Sequence, residues 1–405
     1  MTAEPARLPD RPPPAPVTRS QRSLAPDLAR GAMLLFIALA NVAAYLSGRP
    51  GDAYGHIADA STADRVAHFL VQLLMAERSR PMFAILYGFG IAAMAARMFA
   101  RDFDAAAVRR VLRRRSWWLV LFGLLHAMLL FYGDILAAYG ATGLIALGLV
   151  HLSRRALLRW FWGTLAFVLV AGAPLLAYFI SVGFGSAGVE SMPSGTQSNY
   201  LLDMLVGAGF SVASVLLSTL TLMFLPLVIA GMLVQRSGWL DRPERHLPVL
   251  RRVFVSGMVV NVASALPISL VALGAWHPGG TWAFVAAYLT LTGGMYAGLG
   301  YICGFALLAH RWRPRGRRGV PGMLAALGER SLTGYLGQSI VMAPLLSLWG
   351  FALGDGLGYL AGYGIALGAW ALTVAFAVLL EWTGRRGPFE VLLRRLTYGR
   401  ASRSS

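Results

Sequence analysis

The chain has 405 residues, of which 57% are hydrophobic and 13% charged. A soluble domain is nearer a quarter charged, so a water-soluble globule is excluded and lipid is the expected solvent for much of the surface. The net charge of +18 is carried by arginine without lysine, in short segments between apolar runs, which leaves no module able to form a nucleic-acid groove.

The first 25 residues contain Pro12 to Pro14 and several Arg but no apolar core, so they read as a disordered cytoplasmic tail rather than a signal peptide. Apolar stretches then recur to the end of the chain. They predict an all-α, polytopic bundle of about ten spans, at 31–48, 79–98, 116–132, 134–152, 157–180, 211–235, 252–274, 281–308, 332–351 and 357–381. Every second connection is crowded with Arg, as at Arg109 to Arg115 and Arg311 to Arg318, and those between are poor in it. The positive-inside rule then places both termini in the cytoplasm and the chain in the plasma (inner) membrane, with its Arg near anionic headgroups. The first outer connection is the exception, and its residues 62–77 read as a short helix on the surface or re-entering the membrane. The Gly- and Ser-rich stretch 181–200 reads as mobile. The expected organisation is a tail (1–25), an N-terminal transmembrane half (26–180), an extracytoplasmic loop (181–210), a C-terminal half (211–385), and an interfacial helix with a cytoplasmic tail (386–405).

Ionisable groups at membrane depth are costly and are the first candidates for function. Asp27 and Arg30, three apart on one helix face before Gly31, form either an interfacial anchor or a cytoplasmic site for an anionic group such as phosphate. Arg80, beside Glu77 and Arg78, either snorkels to the surface or lines an outward-facing polar pocket. His126 lies ten residues into the third span, roughly 15 Å along a helix and near mid-membrane. It is either a buried structural imidazole or a general base. Asp134 follows eight residues later, in the hairpin Tyr132-Gly133-Asp134, as a cap for the next span or as a group that orients a base or binds substrate. In the ninth span, Ser331 to Ser339 brings Thr333, Tyr335 and Gln338 among small residues, a composition suited to interhelical hydrogen bonds. With Cys303 as the one cysteine, no disulfide is expected, and no Cys/His metal cluster, Walker loop or Gly-x-Ser-x-Gly elbow is present.

Five segments in order resemble the YeiB-like family of bacterial multi-pass membrane proteins, defined by a C-terminal domain of unknown function. They are Asp27-x-x-Arg30-Gly31; Arg80 with Phe83, Leu86, Tyr87, Gly88 and Gly90; Leu121 to His126 with Gly133 to Leu136 and Tyr139; Ser331-Leu332-Thr333-x-Tyr335 with Gln338-Ser339; and Arg386-Gly387-Pro388-x-Glu390 with Arg394. The chain departs from the family at Gly334, where Asn is usual, and at Pro81, where an aromatic is usual and where proline could bend the element. More distantly, the layout is similar to membrane acyltransferases that modify envelope sugars. That likeness implies an acyl-CoA donor without a bound cofactor, and an envelope glycan or lipid as acceptor. Arg30 would hold donor phosphate, His126 would activate the acceptor or accept the acyl group, and Asp134 and Arg80 would shape the outer pocket. A small-molecule transporter and a non-catalytic membrane scaffold or sensor stand as alternatives, and the oligomeric state is open.

Overall fold

The computed structural model describes residues 23–52, 54–181 and 194–398. The expected disordered tail up to residue 22, the stretch 182–193 with Glu190, and Arg400 and Arg403 lie outside the described residues. The regular elements described are helical throughout: α1 (Ala25–Val42), α2 (Thr62–Leu74), α3 (Ser79–Phe99), α4 (Ala105–Leu129), α5 (Leu136–Ala146), α6 (Arg154–Ser181), α7 (Tyr200–Leu220), α8 (Leu225–Ser237), α9 (Leu247–Leu273), α10 (Gly280–Trp312), α11 (Gly319–Glu329), α12 (Ser331–Leu346), α13 (Tyr359–Trp382) and α14 (Pro388–Tyr398). Seven helical stretches are long and apolar enough to cross a membrane, and α5 and α8 are shorter apolar helices. The protein is an all-α, polytopic transmembrane bundle.

Local chemistry explains where the helices start and stop. Pro26 and Asp27 occupy the first turn of α1, where a missing N–H and a negative charge are both favourable. The first helix therefore starts at Ala25 rather than near residue 31, and takes in Asp27 and Arg30. Ser61 and Asp64 form a reciprocal capping box on α2, and Asp104 caps α4. Pro81 falls in the first turn of α3, where its missing N–H costs nothing, so α3 continues through it without a break.

The expected loop 181–210 and the expected span 211–235 need correction. Asn199 accepts hydrogen bonds from the N–H groups of Leu201 and Leu202 and starts α7 at Tyr200. Asp203, within the stretch expected as a loop, is buried and bonded to Tyr132 and Trp349. The apolar run is then interrupted at Leu222, which has a positive φ of 53°, and Pro226 opens α8. Hydropathy cannot see this break, because every residue around it is apolar or small.

Glycine sets how closely the central helices approach. A Cβ on Gly88 of α3 would collide with the Val228 carbonyl of α8, and one on Gly231 of α8 would collide with the Ile85 carbonyl of α3. Gly31 of α1 lies against Leu324 of α11 in the same way, and Gly257 of α9 against Gly300 of α10. Small residues that let backbones touch are the usual means of packing helices in lipid, where no hydrophobic force drives them together. The core thus centres on α1, α3 and α8, while α6 and α7 sit at the periphery.

Candidate functional site

The α4–α5 hairpin brings His126 and Asp134 into contact. After α4 ends, the N–H groups of Leu130 and Phe131 both bond back to the His126 carbonyl, and the chain turns through Tyr132 and Gly133. Asp134 then uses its two oxygens differently. Oδ1 accepts from the Ala137 N–H at 2.9 Å and caps α5. Oδ2 faces His126 Nδ1 at 2.8 Å and accepts from the Tyr335 hydroxyl at 3.1 Å. The capping and the orienting roles considered for Asp134 are therefore compatible. Gly123, one turn before His126, is what lets α4 lie this close: a Cβ there would collide with Ala137 N and Asp134 Oδ1.

Both side chains are buried, and His126 Nε2 has no hydrogen-bond partner among the described residues. With a carboxylate at Nδ1, the proton belongs on Nδ1, which leaves Nε2 as the basic lone pair. The Tyr335 ring lies 5.0 Å from the imidazole. Tyr335→Phe keeps that ring and removes the hydroxyl. It should cost about 1.5 kcal/mol, a typical loss for a bond to a charged group, and lower the melting midpoint of the purified protein. An unchanged midpoint would mean that the hydroxyl contributes nothing.

Two cavities lie to either side of the start of α5; Asp134 lines the second, and His126 and Tyr335 line neither. The first, about 650 Å³, opens at the Arg-rich end, where Arg30, Arg97, Arg115, Arg386 and Arg394 line it, and it reaches inward to Phe83, Leu136 and Tyr139. Asp241 also faces it; burial raises its carboxyl above the usual range, against the attraction of Arg97 and Arg242. The second cavity, about 410 Å³, contains Asp134, Glu77 and Arg80 at its polar end and is otherwise mainly apolar. The beginning of α5 divides the two: Asp134 and Ile135 face the second cavity, Leu136 and Tyr139 the first. Phe83 stacks on Tyr139 at 5.0 Å, and the Tyr139 hydroxyl bonds to the Arg80 carbonyl at 2.7 Å, which completes the partition.

The remaining sequence candidates are spread around this axis. Arg30 pairs with Asp27 at 3.4 Å and donates to the Leu86 carbonyl at 3.3 Å. Asp27 is fully buried and also lies 3.7 Å from Arg317, which pairs with Glu329 at 2.7 Å. Arg80 pairs with Glu77. Gln338 lines neither cavity; its amide donates to the Leu34 carbonyl at 3.1 Å and ties α12 to α1.

Three features escaped the sequence reading of single positions. Arg78 is fully buried between α2 and α3 and donates to Asn261 of α9. His68 of α2 is buried against Tyr359, stacked at 4.0 Å, with Nδ1 2.7 Å from the Tyr363 hydroxyl. Glu390 of α14 accepts from the N–H groups of Leu332 (2.8 Å) and Thr333 (3.1 Å) and so caps α12 from another helix. The lone Asn261 in an apolar span was the one available signal for Arg78; nothing local foretold the Glu390 cap.

Residues 234–400, from α8 through α14, match the family described as "Protein of unknown function (DUF418)". The match takes in Tyr335 and Glu390 and leaves out His126 and Asp134. The chain is 27% identical over 403 residues to "Uncharacterized protein YeiB" of Escherichia coli (strain K12), covering 93% of this chain and 96% of that protein. It is 24% identical over 359 residues to "Uncharacterized protein YxaH" of Bacillus subtilis (strain 168), covering 84% and 83%.

Proposed function

Because the chain belongs to the YeiB-like family of multi-pass membrane proteins, whose compared members carry no stated activity, we propose a function from the geometry: a transmembrane acyltransferase. The observation that supports it best is the His126–Asp134 pair, whose Asp134 lines a cavity separated only by the start of α5 from the one at the Arg-rich end. The positive-inside pattern makes the Arg-rich end cytoplasmic, with both termini on that side of the inner membrane. An acyl-CoA donor would enter there. Arg30, Arg97, Arg115, Arg386 and Arg394 supply the planar, permanently charged donors that phosphates require. An envelope glycan or lipid acceptor would approach through the second cavity.

In this reading Asp134 holds the Nδ1–H of His126, and Nε2 takes the proton of the acceptor hydroxyl as its oxygen attacks the thioester carbonyl. The C–S bond breaks, and the departing thiolate takes the proton from Nε2, so an ester and a free thiol are formed. His126 lines neither cavity, so the packing around it has to open for substrates to reach Nε2. A transporter would use the same two cavities as halves of a permeation path, and one experiment separates the readings. Envelope glycans and lipids are compared by mass spectrometry in cells lacking the protein and in cells carrying the unaltered chain or His126→Ala. A species one acyl group lighter in the deletion strain, restored by the unaltered chain alone, is the expected result. Identical profiles with normal expression would remove the acyltransferase and favour transport.

A further inference from the structure

The second cavity differs from a sugar site in its walls. Apart from Glu77, Arg80 and Asp134, with Asn41, Gln72 and Ser79, its walls on α6, α7 and α10 expose mainly apolar surface such as Leu169, Phe210 and Leu291. The hydroxyls of Ser218, Thr221, Tyr288, Thr290 and Thr292 there already donate to backbone carbonyls. A polyol lying there would leave its hydroxyls facing hydrocarbon, at roughly 1–3 kcal/mol for each one unsatisfied. An alkyl chain has no such groups to satisfy.

The two outer walls also lead into the bilayer. Helices α6 and α7 are the least buried of the candidate spans, with 11% and 22% of their apolar windows buried. Each is fastened to a different neighbour. Tyr288 of α10 bonds the Leu169 carbonyl of α6 at 2.5 Å, whereas Tyr132 and Tyr200 tie α7 to the end of α4. Both helices line the cavity without packing extensively against one another among the described residues. Gly172 on α6 faces open space on the cavity side. At the polar end Arg80 is paired with Glu77, which leaves the Asp134 carboxylate, an acceptor suited to an uncharged hydroxyl head rather than a phosphate.

We infer that this cavity binds the hydrocarbon tail of a membrane-resident, uncharged alcohol. The tail enters from the bilayer between α6 and α7, and the hydroxyl-bearing head rests at Asp134. The role of that hydroxyl as acyl acceptor rests on the acyltransferase reading; the tail site does not.

The test uses full-length protein in phospholipid nanodiscs containing octadecyl glucoside with a diazirine in its chain. Photolabelled peptides are identified by mass spectrometry. Labelling is expected to concentrate on the cavity faces of α6 and α7 and to be displaced by unlabelled octadecyl glucoside but not by glucose or palmitoyl-CoA. Gly172→Trp and Ser214→Trp, which fill the passage from its two sides, should each reduce it about ten-fold. Gly163→Trp, on α6 away from the cavity and also facing open space, should leave it unchanged. Labelling indifferent to both filling substitutions would overturn the inference. Displacement by glucose would overturn it in favour of a soluble acceptor, and displacement by palmitoyl-CoA in favour of the donor's own chain. His126→Asn protein should label normally, so the tail site is tested even if no acyl transfer is found.

Discussion

His126→Ala should reduce acyl transfer about 10³-fold, within the range that a positioned general base contributes. The substitution also empties a buried site and removes one of the three partners of the Asp134 carboxylate, so reduced activity alone would not separate chemistry from folding. His126→Asn makes the separation. Its amide nitrogen stands near the position of Nδ1 and can still donate to Asp134 Oδ2, but nothing replaces Nε2. The expected result is a melting midpoint close to that of the unaltered protein with transfer as low as in His126→Ala. Asp134→Asn should cost about 10²-fold or more, because the imidazole loses the partner that holds its proton on Nδ1. A His126→Asn protein that folds and transfers at the normal rate would eliminate His126 as the base.

Gly88→Val and Gly231→Val should each prevent recovery of monodisperse protein. The two glycines sit on facing surfaces of α3 and α8, and a Cβ at either would overlap a backbone carbonyl of the other helix. A carbonyl cannot rotate aside as a side-chain end can, so the helices must separate, at about 3 kcal/mol or more for each substitution. The core residues Val228, Ile85 and Phe89 lie at this contact and would be opened with it. Size-exclusion profiles of fluorescent fusions, read in detergent extracts, give the answer directly. Gly209→Ala is the control: nothing lies within 4 Å of its Cβ position, so it should be neutral or gain up to ~1 kcal/mol from helix propensity. Normal profiles for both valine variants would show that the α3–α8 spacing is adjustable.

The sequence made some of this architecture legible and hid the rest for identifiable reasons. The alternation of Arg with apolar runs was enough to read an all-α membrane bundle, because both signals are local. The α7–α8 break at Leu222 was invisible, since hydropathy reports composition and not backbone direction. His126 and Asp134 stood out singly as costly residues in apolar surroundings. Their contact depends on how closely two helices approach, and that depends on Gly123. Tyr335 joins them from 201 positions away from Asp134, a distance that no periodicity spans. Gln338 carried the same polar signal as Tyr335 yet points to the Leu34 carbonyl, because three residues along a helix nearly close one turn without restoring the same direction.

The bond from Glu390 to the start of α12 ties the order of synthesis to completion of the protein. A nascent chain emerges from its N-terminus, so α14 leaves the ribosome after α12. Until it arrives, the amides of Leu332 and Thr333 lack the carboxylate that serves them in the finished protein. Gly387 fits this closure, since a Cβ there would strike the Glu390 carboxylate and the Thr333 hydroxyl. Arg386, Glu390 and Arg394 complete the wall of the Arg-rich cavity in the same step. The pocket proposed for the donor is therefore finished only after α14 has been made, and a nascent chain that has not yet reached α14 lacks part of its wall.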